Sequence, residues 1–413
     1  MESRIEFRLI VVTFFVMIGS LQADSLPETV ASPGNLPLCY LTTTNPVVSD
    51  RKVACTFRVS YPSNERPGST DRLKGNVRIH GGVSQGYPKK SFGITLESPL
   101  EFPGLHKGAH WVLNAAYIDR SLMRHKLAYD LFLSLASTNA PRFAASSQFV
   151  EVFLNGKYNG AYLLMERVDG HLLNLHAFNS NDTTHASIYK AVDHGANFAQ
   201  LGHPGYEQRE PDPLQFPYWG PLDRFDKFVS TSPDAAFFHP ETGIATRLDL
   251  DNAIDFHLLV LLTCNLDGID KNFMIARDWT PPGSKPRFFF IPWDYDGTFG
   301  RNWDSSPVPP SFWLSNHLFD RLLGHPAYAR KFAARWKELR SGAFSPKTIE
   351  ALIDRNAKTL GPAAERNFQR WPIAQGPYSD RIGFTQDLAQ MKSWTKARVE
   401  WLDQQIEQKY STP

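Results

Sequence analysis

Cysteine is scarce in this chain, with three residues among 413. Three thiols cannot build the disulfide framework of a small secreted scaffold. Cys39 and Cys55 flank a short stretch and are able to form one disulfide in an oxidising compartment, whereas Cys264 lies in an apolar run and is expected to be buried. Neither Cys-x-x-Cys nor His-Glu-x-x-His occurs, which excludes the usual zinc-site spacings among the 13 histidines.

An excess of charge of one sign is also missing. Lys and Arg number 44 against 42 Asp and Glu, which leaves a net charge of +2. Binding to nucleic acid needs a clear basic excess or a basic stripe, so the composition does not predict it. With 42% hydrophobic and 21% charged residues, the chain is typical of a globular protein with one large domain or two lobes.

Long apolar runs are absent except at the start of the chain. Arg4 and Arg8 precede an apolar run at residues 9–18, and small residues follow it. This run is shorter than the roughly 20 residues that span a bilayer, so residues 1–23 predict a signal peptide cleaved near Ala23. An uncleaved anchor is the alternative. We expect a secreted, periplasmic or cell-surface protein without a stable membrane span.

The pattern of apolar and turn residues divides the rest of the chain into four segments. Asn155 and Gly156 separate two apolar strands and predict a hairpin, and leucine spacing over 120–136 predicts the first helix. The expected fold class is α+β, sheet-rich in the N-terminal half and helical in the C-terminal half. The expected segments are a loop-rich entry (24–75), a sheet-rich nucleotide-binding lobe (76–170), an irregular insertion (171–245), and a helical lobe with the catalytic and metal loops (246–413).

The strongest candidate site lies between residues 265 and 300. Asp267 and Asn272 have the Asp-x-x-x-x-Asn spacing of a protein-kinase catalytic loop, in which the Asp orients the attacking hydroxyl and the Asn binds metal. Asp294 and Asp296 follow an apolar strand and are two residues apart, so both face one side of an extended backbone. Carboxylate oxygens suit Mg²⁺ or Mn²⁺. An alternative, in which these residues only cap turns, does not explain the joint pattern.

A Gly-rich turn between two strands is the second candidate. Gly81 and Gly82 let backbone N–H groups approach phosphates, with Ser84 in the same turn and two lysines on the next strand. Lys90 shares its strand face with apolar residues and is slightly favoured over Lys89 as the lysine that points into a cleft. A solvated hairpin with two surface lysines explains the segment equally well.

The same turn contains a Gly-x-Ser-x-Gly pattern at residues 82–86, which is typical of the serine nucleophile of α/β-hydrolases. That motif needs a helix immediately after the serine. Pro88 and the alternating residues 91–96 predict a strand instead. A serine hydrolase that uses Ser84 is therefore a third hypothesis, less favoured than the two described below.

As a set, these segments resemble the CotH family of spore-coat and secreted kinases, over residues 75 to 300. The most specific part is 291–300, and the other parts are the Gly-rich turn, 111–124, 150–166, 188–190 and 265–272. The resemblance implies a divergent, two-lobed, protein-kinase-like fold. It also implies ATP and Mg²⁺ or Mn²⁺ as cofactors, and transfer of the γ-phosphate to a hydroxyl of an unidentified secreted or surface protein.

Carried over to this chain, the resemblance implies a role for each candidate residue. Asp267 would be the catalytic acid. The metal ligands would be Asn272, Asp294 and Asp296. The nucleotide contacts would come from Gly81, Gly82, Ser84, Lys89 or Lys90, and from the chain at Glu166.

One residue departs from the family pattern. His80 stands before the two glycines where many relatives have an arginine, and a neutral imidazole is a poorer phosphate partner than a guanidinium. This bears on the affinity for nucleotide or on its identity. Extracellular ATP is scarce, so a non-catalytic surface, structural or adhesion protein on the same scaffold is the main alternative.

Overall fold

The computed structural model describes residues 36–62, 70–281 and 283–410. The expected signal peptide at residues 1–23 lies outside these ranges. Within them, no helix is both long enough and apolar enough to cross a bilayer.

Seven strands in the first part of the chain close into a barrel. The neighbours run in the order β1-β2-β3-β4-β5-β7-β6, and parallel pairing of β1 with β6 completes the ring. Alternate side chains fill the interior, among them Phe57, Val77 and Leu113. The strands are β1 (Leu38–Thr43), β2 (Val53–Ser60), β3 (Leu73–His80), β4 (Ser91–Leu100), β5 (Gly108–Asn114), β6 (Ser147–Leu154) and β7 (Lys157–Glu166).

The hairpin between β6 and β7 is confirmed. The two strands pair antiparallel, and Leu154 faces Lys157 across the turn. Asn155 and Gly156 have φ values of +49° and +77°, the left-handed conformation that a two-residue hairpin turn of this type requires. The local chemistry of two residues was therefore enough to specify this part of the barrel.

A second, antiparallel sheet has the strand order β11-β10-β8-β9. Two of its strands fall within the segment that was expected to be an irregular insertion, and the other two follow the 265–272 loop. The sheet therefore joins distant parts of the sequence and ends beside the acidic segment. Its strands are β8 (Ser187–Ala191), β9 (Tyr206–Glu210), β10 (Phe273–Arg277) and β11 (Phe289–Pro292).

Within the described residues, eight helices surround this sheet and one side of the barrel. Helix α4 is apolar on almost every side and is buried from Asn252 to Thr263, where it packs against β11 and α8. Its N-cap is Asp249, whose side chain accepts hydrogen bonds from the next turn. The helices are α1 (Arg124–Leu133), α2 (Gly220–Thr231), α3 (Asp234–Phe237), α4 (Leu250–Thr263), α5 (His317–Leu323), α6 (Pro326–Ser341), α7 (Pro346–Arg370, kinked at Gly361) and α8 (Phe384–Tyr410).

The expectation of a divergent, two-lobed, protein-kinase-like fold is wrong. The N-terminal strands close into a barrel, and the C-terminal part contributes two strands to the second sheet. The closing pair brings Leu38 opposite Glu151, residues more than a hundred positions apart. Strand periodicity predicts which residues face inward, but it does not show which distant strands pair.

A disulfide between Cys39 and Cys55 is also ruled out, since both thiols are free and buried. On paired strands, Cys39 lies opposite Val59 and Cys55 lies opposite Thr43. The offset of four residues corresponds to ~13 Å, well beyond the roughly 7 Å limit between the Cα atoms of a disulfide. Burial raises the pKa of Cys55 to about 11. Cys264 is buried, as expected.

Candidate functional site

The acidic segment begins where β11 ends. Asp294 has φ +60°, a left-handed conformation that is costly for a residue with a side chain. Its backbone N–H donates to the Tyr129 hydroxyl at 2.9 Å, and its carbonyl accepts from the Asn265 side chain at 3.3 Å. These contacts hold a strained backbone in place, so the position of the Asp294 carboxylate is set by the surrounding fold.

Three side chains form a cluster here that is able to hold a cation. One ligand atom each from His125, Asp294 and Asp296 lies within 4.8 Å of the other two. His125 is buried on α1, and its Nε2 lies 3.2 Å from Asp294 Oδ1. Sequence reasoning paired the two aspartates but missed His125. It occupies an ordinary buried helix position, and no local signal marks it.

The two carboxylates differ in their affinity for protons. Burial, and then the charge of Asp294, raise the pKa of Asp296 to about 7. Desolvation also acts on Asp294, but the hydrogen bond and charge of His125 and the ammonium of Lys190 outweigh it and lower the pKa of Asp294. Two close carboxylates with no cation between them cannot both ionise freely. The cluster therefore has the electrostatics of a site that favours positive charge.

The donor set fits a divalent metal ion. Two carboxylate oxygens suit Mg²⁺ or Mn²⁺, and an imidazole nitrogen suits Mn²⁺ better than Mg²⁺. Asp294 keeps 46% of its side-chain surface exposed, which leaves the cluster open to a ligand.

A basic cleft of about 100 Å³ lies next to this cluster, between the barrel and the second sheet. None of the described residues that line it is acidic. Trp293 forms part of its wall and directly precedes Asp294. Six basic residues line it: Lys52, Arg78, His80, Arg167, Lys190 and Arg209. The cleft is therefore suited to an anionic group placed beside the carboxylates.

Burial lowers the pKa of two cleft residues that contact the Trp293 ring, Lys190 and His80. Lys190 Nζ lies 5.6 Å from the Trp293 ring centroid, and burial lowers the pKa of Lys190 although the charge of Asp294 opposes the shift. Burial, and then the charges of Lys190 and Arg78, lower the pKa of His80 to about 4. His80 is therefore neutral at pH 7, and the arginines and lysines supply the positive charge of the cleft.

The structure places the candidate catalytic residue outside the three-residue cluster. Asp267 follows α4, and its carboxylate lies 3.0 Å from Lys271 Nζ and 3.7 Å from His194 Nε2. Asn272 connects its loop to the acidic segment, because its carbonyl accepts from the Trp293 N–H at 3.1 Å. The 265–272 loop and the acidic segment are thus joined by backbone contacts.

The Gly-rich turn forms a short 3-10 turn at Val83–Gly86, followed by β4 and not by a helix. Gly81 has φ +117°, and a Cβ there would lie 2.1 Å from Ser84 Oγ. Gly82 forms the N-terminal boundary of the turn. This geometry lacks the helix that a hydrolase nucleophile elbow requires.

The two candidate lysines have different surroundings. Lys89 is 2% exposed, and its Nζ donates to two backbone carbonyls and to Asn367 Oδ1. Lys90 is half-buried and donates to the Gln85 carbonyl at 2.6 Å. Neither lines the basic cleft. Lysine at the cleft comes instead from Lys52 and Lys190.

Glu166 ends β7, and its carboxylate is engaged within the barrel. Oε1 accepts from the His106 N–H at 2.5 Å and lies 3.0 Å from His106 Nδ1, and Oε2 accepts from the Ser146 N–H at 3.2 Å. The side chain thus fixes two loops at the end of β7.

A buried ionic network positions the helix that carries His125. Arg124 Nη1 lies 2.5 Å from Asp119 and 2.7 Å from Asp387 of α8, and its Nε donates to the Thr298 carbonyl at 2.9 Å. All three charged side chains are at most 1% exposed. The network joins α1 to α8 and to the loop that follows Asp296, so it holds both sides of the carboxylate cluster.

Two comparisons relate the chain to known proteins. The model of one family, described as CotH kinase protein, matches residues 77–402. The inner spore coat protein H of Bacillus subtilis (strain 168) is 30% identical over 238 residues, or 56% of this chain. The aligned region spans 60% of the length of that relative.

Proposed function

This chain belongs to the CotH kinase family, and from that premise we propose that it is an ATP-dependent phosphotransferase that works outside the cytoplasm. The observation that carries the proposal is the position of the His125, Asp294 and Asp296 cluster at the edge of a basic cleft, none of whose described lining residues is acidic. Phosphoryl transfer depends mainly on positioning and on neutralisation of phosphate charge. These two features together would supply both.

We assign the metal to the three-residue cluster and the polyphosphate to the cleft. Asp294, Asp296 and His125 would hold Mg²⁺ or Mn²⁺, and the ion would neutralise charge on the phosphates. Lys190 and the cleft arginines would bind the phosphate oxygens beside the metal ion that the carboxylates hold.

We propose that Asp267 orients the acceptor hydroxyl, because its spacing to Asn272 is that of a kinase catalytic loop. Its carboxylate is 18% exposed, with Lys271 on one oxygen and His194 near the other. An acceptor hydroxyl placed there would donate to the carboxylate, which would orient its oxygen toward the phosphate. We propose that the acceptor is a protein hydroxyl of a secreted or surface protein.

The test is transfer of labelled γ-phosphate by the purified mature chain, with Mg²⁺ or Mn²⁺ present. Asp267→Asn and Asp294→Asn/Asp296→Asn should abolish incorporation, since each variant removes charge without changing shape. The matched control is Asp354→Asn, an exposed acidic residue on α7. Incorporation that survives in both variants would contradict the assignment.

A non-catalytic role is the second candidate, because the aligned relative is named as a spore coat protein. On that reading the scaffold would serve assembly or adhesion at a surface. Absence of nucleotide binding with either metal ion, measured by calorimetry on the folded wild-type chain, would favour this role over catalysis.

A further inference from the structure

A second cavity, of about 370 Å³, lies at the opposite end of the four-stranded sheet. Phe288, which precedes β11, and Arg277, which ends β10, form part of its lining. Five residue steps of largely extended chain separate Phe288 from Trp293, ~17 Å at roughly 3.3 Å per residue. This cavity shares no lining residue with the basic cleft. It is a separate feature from the proposed phosphotransfer site.

The charge of this cavity is unbalanced. Four basic side chains and one acidic side chain line it: Arg224, Arg247, Arg277, Lys285 and Glu241. None of the four cations has a carboxylate within ion-pair distance in the part of the chain that the structure describes. Most buried or clustered cations in folded proteins are paired, so a group of unpaired ones at a concave site favours an anionic ligand.

Two of the guanidinium groups are held in place before any ligand arrives. Arg277 Nη2 donates to Thr280 Oγ1 at 2.6 Å, and its Cζ lies 5.7 Å from the Phe288 ring centroid. Arg247 Cζ lies 4.1 Å from the Phe228 ring centroid. Fixed side chains lose little conformational entropy on binding, which favours affinity.

Arg224 brings a second guanidinium close to Arg277. Burial, and to a smaller extent the like charge of Arg224, lower the pKa of Arg277. The two cations therefore repel each other across the cavity. An anion between them would relieve that repulsion.

The geometry points to a phosphomonoester as the ligand, and we propose that its phosphate lies between Arg224 and Arg277. Planar guanidinium groups bind phosphate oxygens in pairs, and two of them match a dianion better than a single carboxylate. The cavity is larger than a phosphate, and Phe225 and Phe288 provide apolar walls for the organic part. The hydroxyl of Thr280 accepts from Arg277 and keeps its own O–H as a further donor in the lining.

The phosphomonoester would come from a free metabolite or from a phosphorylated side chain of a protein. Calorimetry with O-phosphoserine, a phosphoserine peptide and its unphosphorylated twin separates these sources. Equal affinity for the first two indicates the small molecule, and preference for the phosphopeptide indicates the protein. Both results need the phosphate, so the unphosphorylated peptide should not bind.

The variants distinguish this cavity from the cleft. Arg224→Gln/Arg277→Gln should weaken O-phosphoserine binding at least about tenfold, equivalent to ~1.4 kcal/mol. Lys190→Gln/Arg209→Gln in the cleft and Arg330→Gln on α6 should leave it within about twofold of the wild type. Arg224 is exposed, so the single variant Arg224→Gln should fold normally and serves as a second test of binding. Thermal unfolding would reveal a folding defect in either variant.

Two outcomes would overturn the proposal. One is wild-type affinity in Arg224→Gln/Arg277→Gln, or a loss seen only in the cleft variant. The other is no binding of either phosphorylated probe to the folded wild-type chain at millimolar concentration. Because the readout is binding without turnover, its result is independent of whether the chain transfers phosphate.

Discussion

A substitution at Lys89 can distinguish a structural role of this residue from a role in nucleotide binding. Its Nζ donates to the carbonyls of Ala115 at 2.7 Å and Ala161 at 2.5 Å, and to Asn367 Oδ1 at 2.8 Å. It also lies 4.5 Å from the Tyr162 ring centroid. Lys89→Met keeps the length of the side chain and removes the charged donor. We expect the change to lower stability and to leave nucleotide binding intact.

The size of the effect follows from the acceptors that lose their donor. Asn367 Oδ1 still accepts from the Ala161 N–H at 3.2 Å, so the two carbonyls carry most of the cost. Each buried acceptor left without a partner costs about 1–3 kcal/mol. Burial lowers the pKa of Lys89 well below its ordinary value, and removing the buried ammonium offsets part of that cost.

We therefore expect a net loss of about 3 kcal/mol in the free energy of unfolding. At roughly 2.1 cal/mol/K per residue over about 380 residues, that loss lowers Tm by ~4 °C. The assay pairs circular-dichroism melting with calorimetric titration of nucleotide. Lys190→Met is the matched comparison, and it should weaken nucleotide binding about tenfold with little change in Tm.

Wild-type Tm together with a loss of nucleotide binding in Lys89→Met would refute a structural role. That result would show that the ammonium leaves its three acceptors to bind phosphate, the role that the resemblance implied for Lys89 or Lys90. A drop in Tm of several degrees with unchanged nucleotide affinity supports a structural role.

Three further predictions concern stability, pH and metal choice. Arg124→Met leaves the buried Asp119 carboxylate without its cation. Asp387 loses one of its two arginine partners and keeps Arg301. The change should cost about 3–5 kcal/mol in urea unfolding, and a loss under about 1 kcal/mol would contradict the network. Asp226 on α2 is 1% exposed, and burial followed by the charge of Asp223 raises its pKa to about 8. The folded state thus binds a proton that the unfolded chain releases above about pH 4, so stability should fall as pH rises from about 4 to 8, by ~1.4 kcal/mol per unit of pKa difference. In the Asp226→Asn variant, Tm should fall less steeply as pH rises. An unchanged slope of Tm against pH would refute the role of Asp226. His125→Asn should weaken Mn²⁺ binding about 10- to 100-fold and Mg²⁺ binding less, by calorimetry, whereas equal losses would argue against imidazole as a ligand.

Sequence reasoning succeeded where neighbouring residues decide the structure. Asn155 and Gly156 specify a turn by their own backbone preferences, and the hairpin follows. Asp294 and Asp296 lie together as their spacing predicted, but Asp294 is left-handed and not extended, so the predicted cause was wrong. The hairpin was predictable because its physical cause acts over two neighbouring residues.

Sequence reasoning failed where the contact that determines the structure joins distant segments. His125 reaches Asp294 across 169 positions, and Asp387 reaches Arg124 across 263. Lys89, one of the two lysines considered for phosphate contact, finds a partner 278 positions away. No period or motif encodes such pairs, because each depends on how whole elements pack.

The parallel pairing of β1 with β6 has a consequence for how the barrel is assembled. The first strand cannot find its second neighbour until more than a hundred further residues have been made, so closing the ring is a late and slow event. Until then, β1 and β6 each present an open edge to other chains. Removing residues 38–43 would leave the edges of β2 and β6 open permanently, and such a truncated chain should self-associate through them.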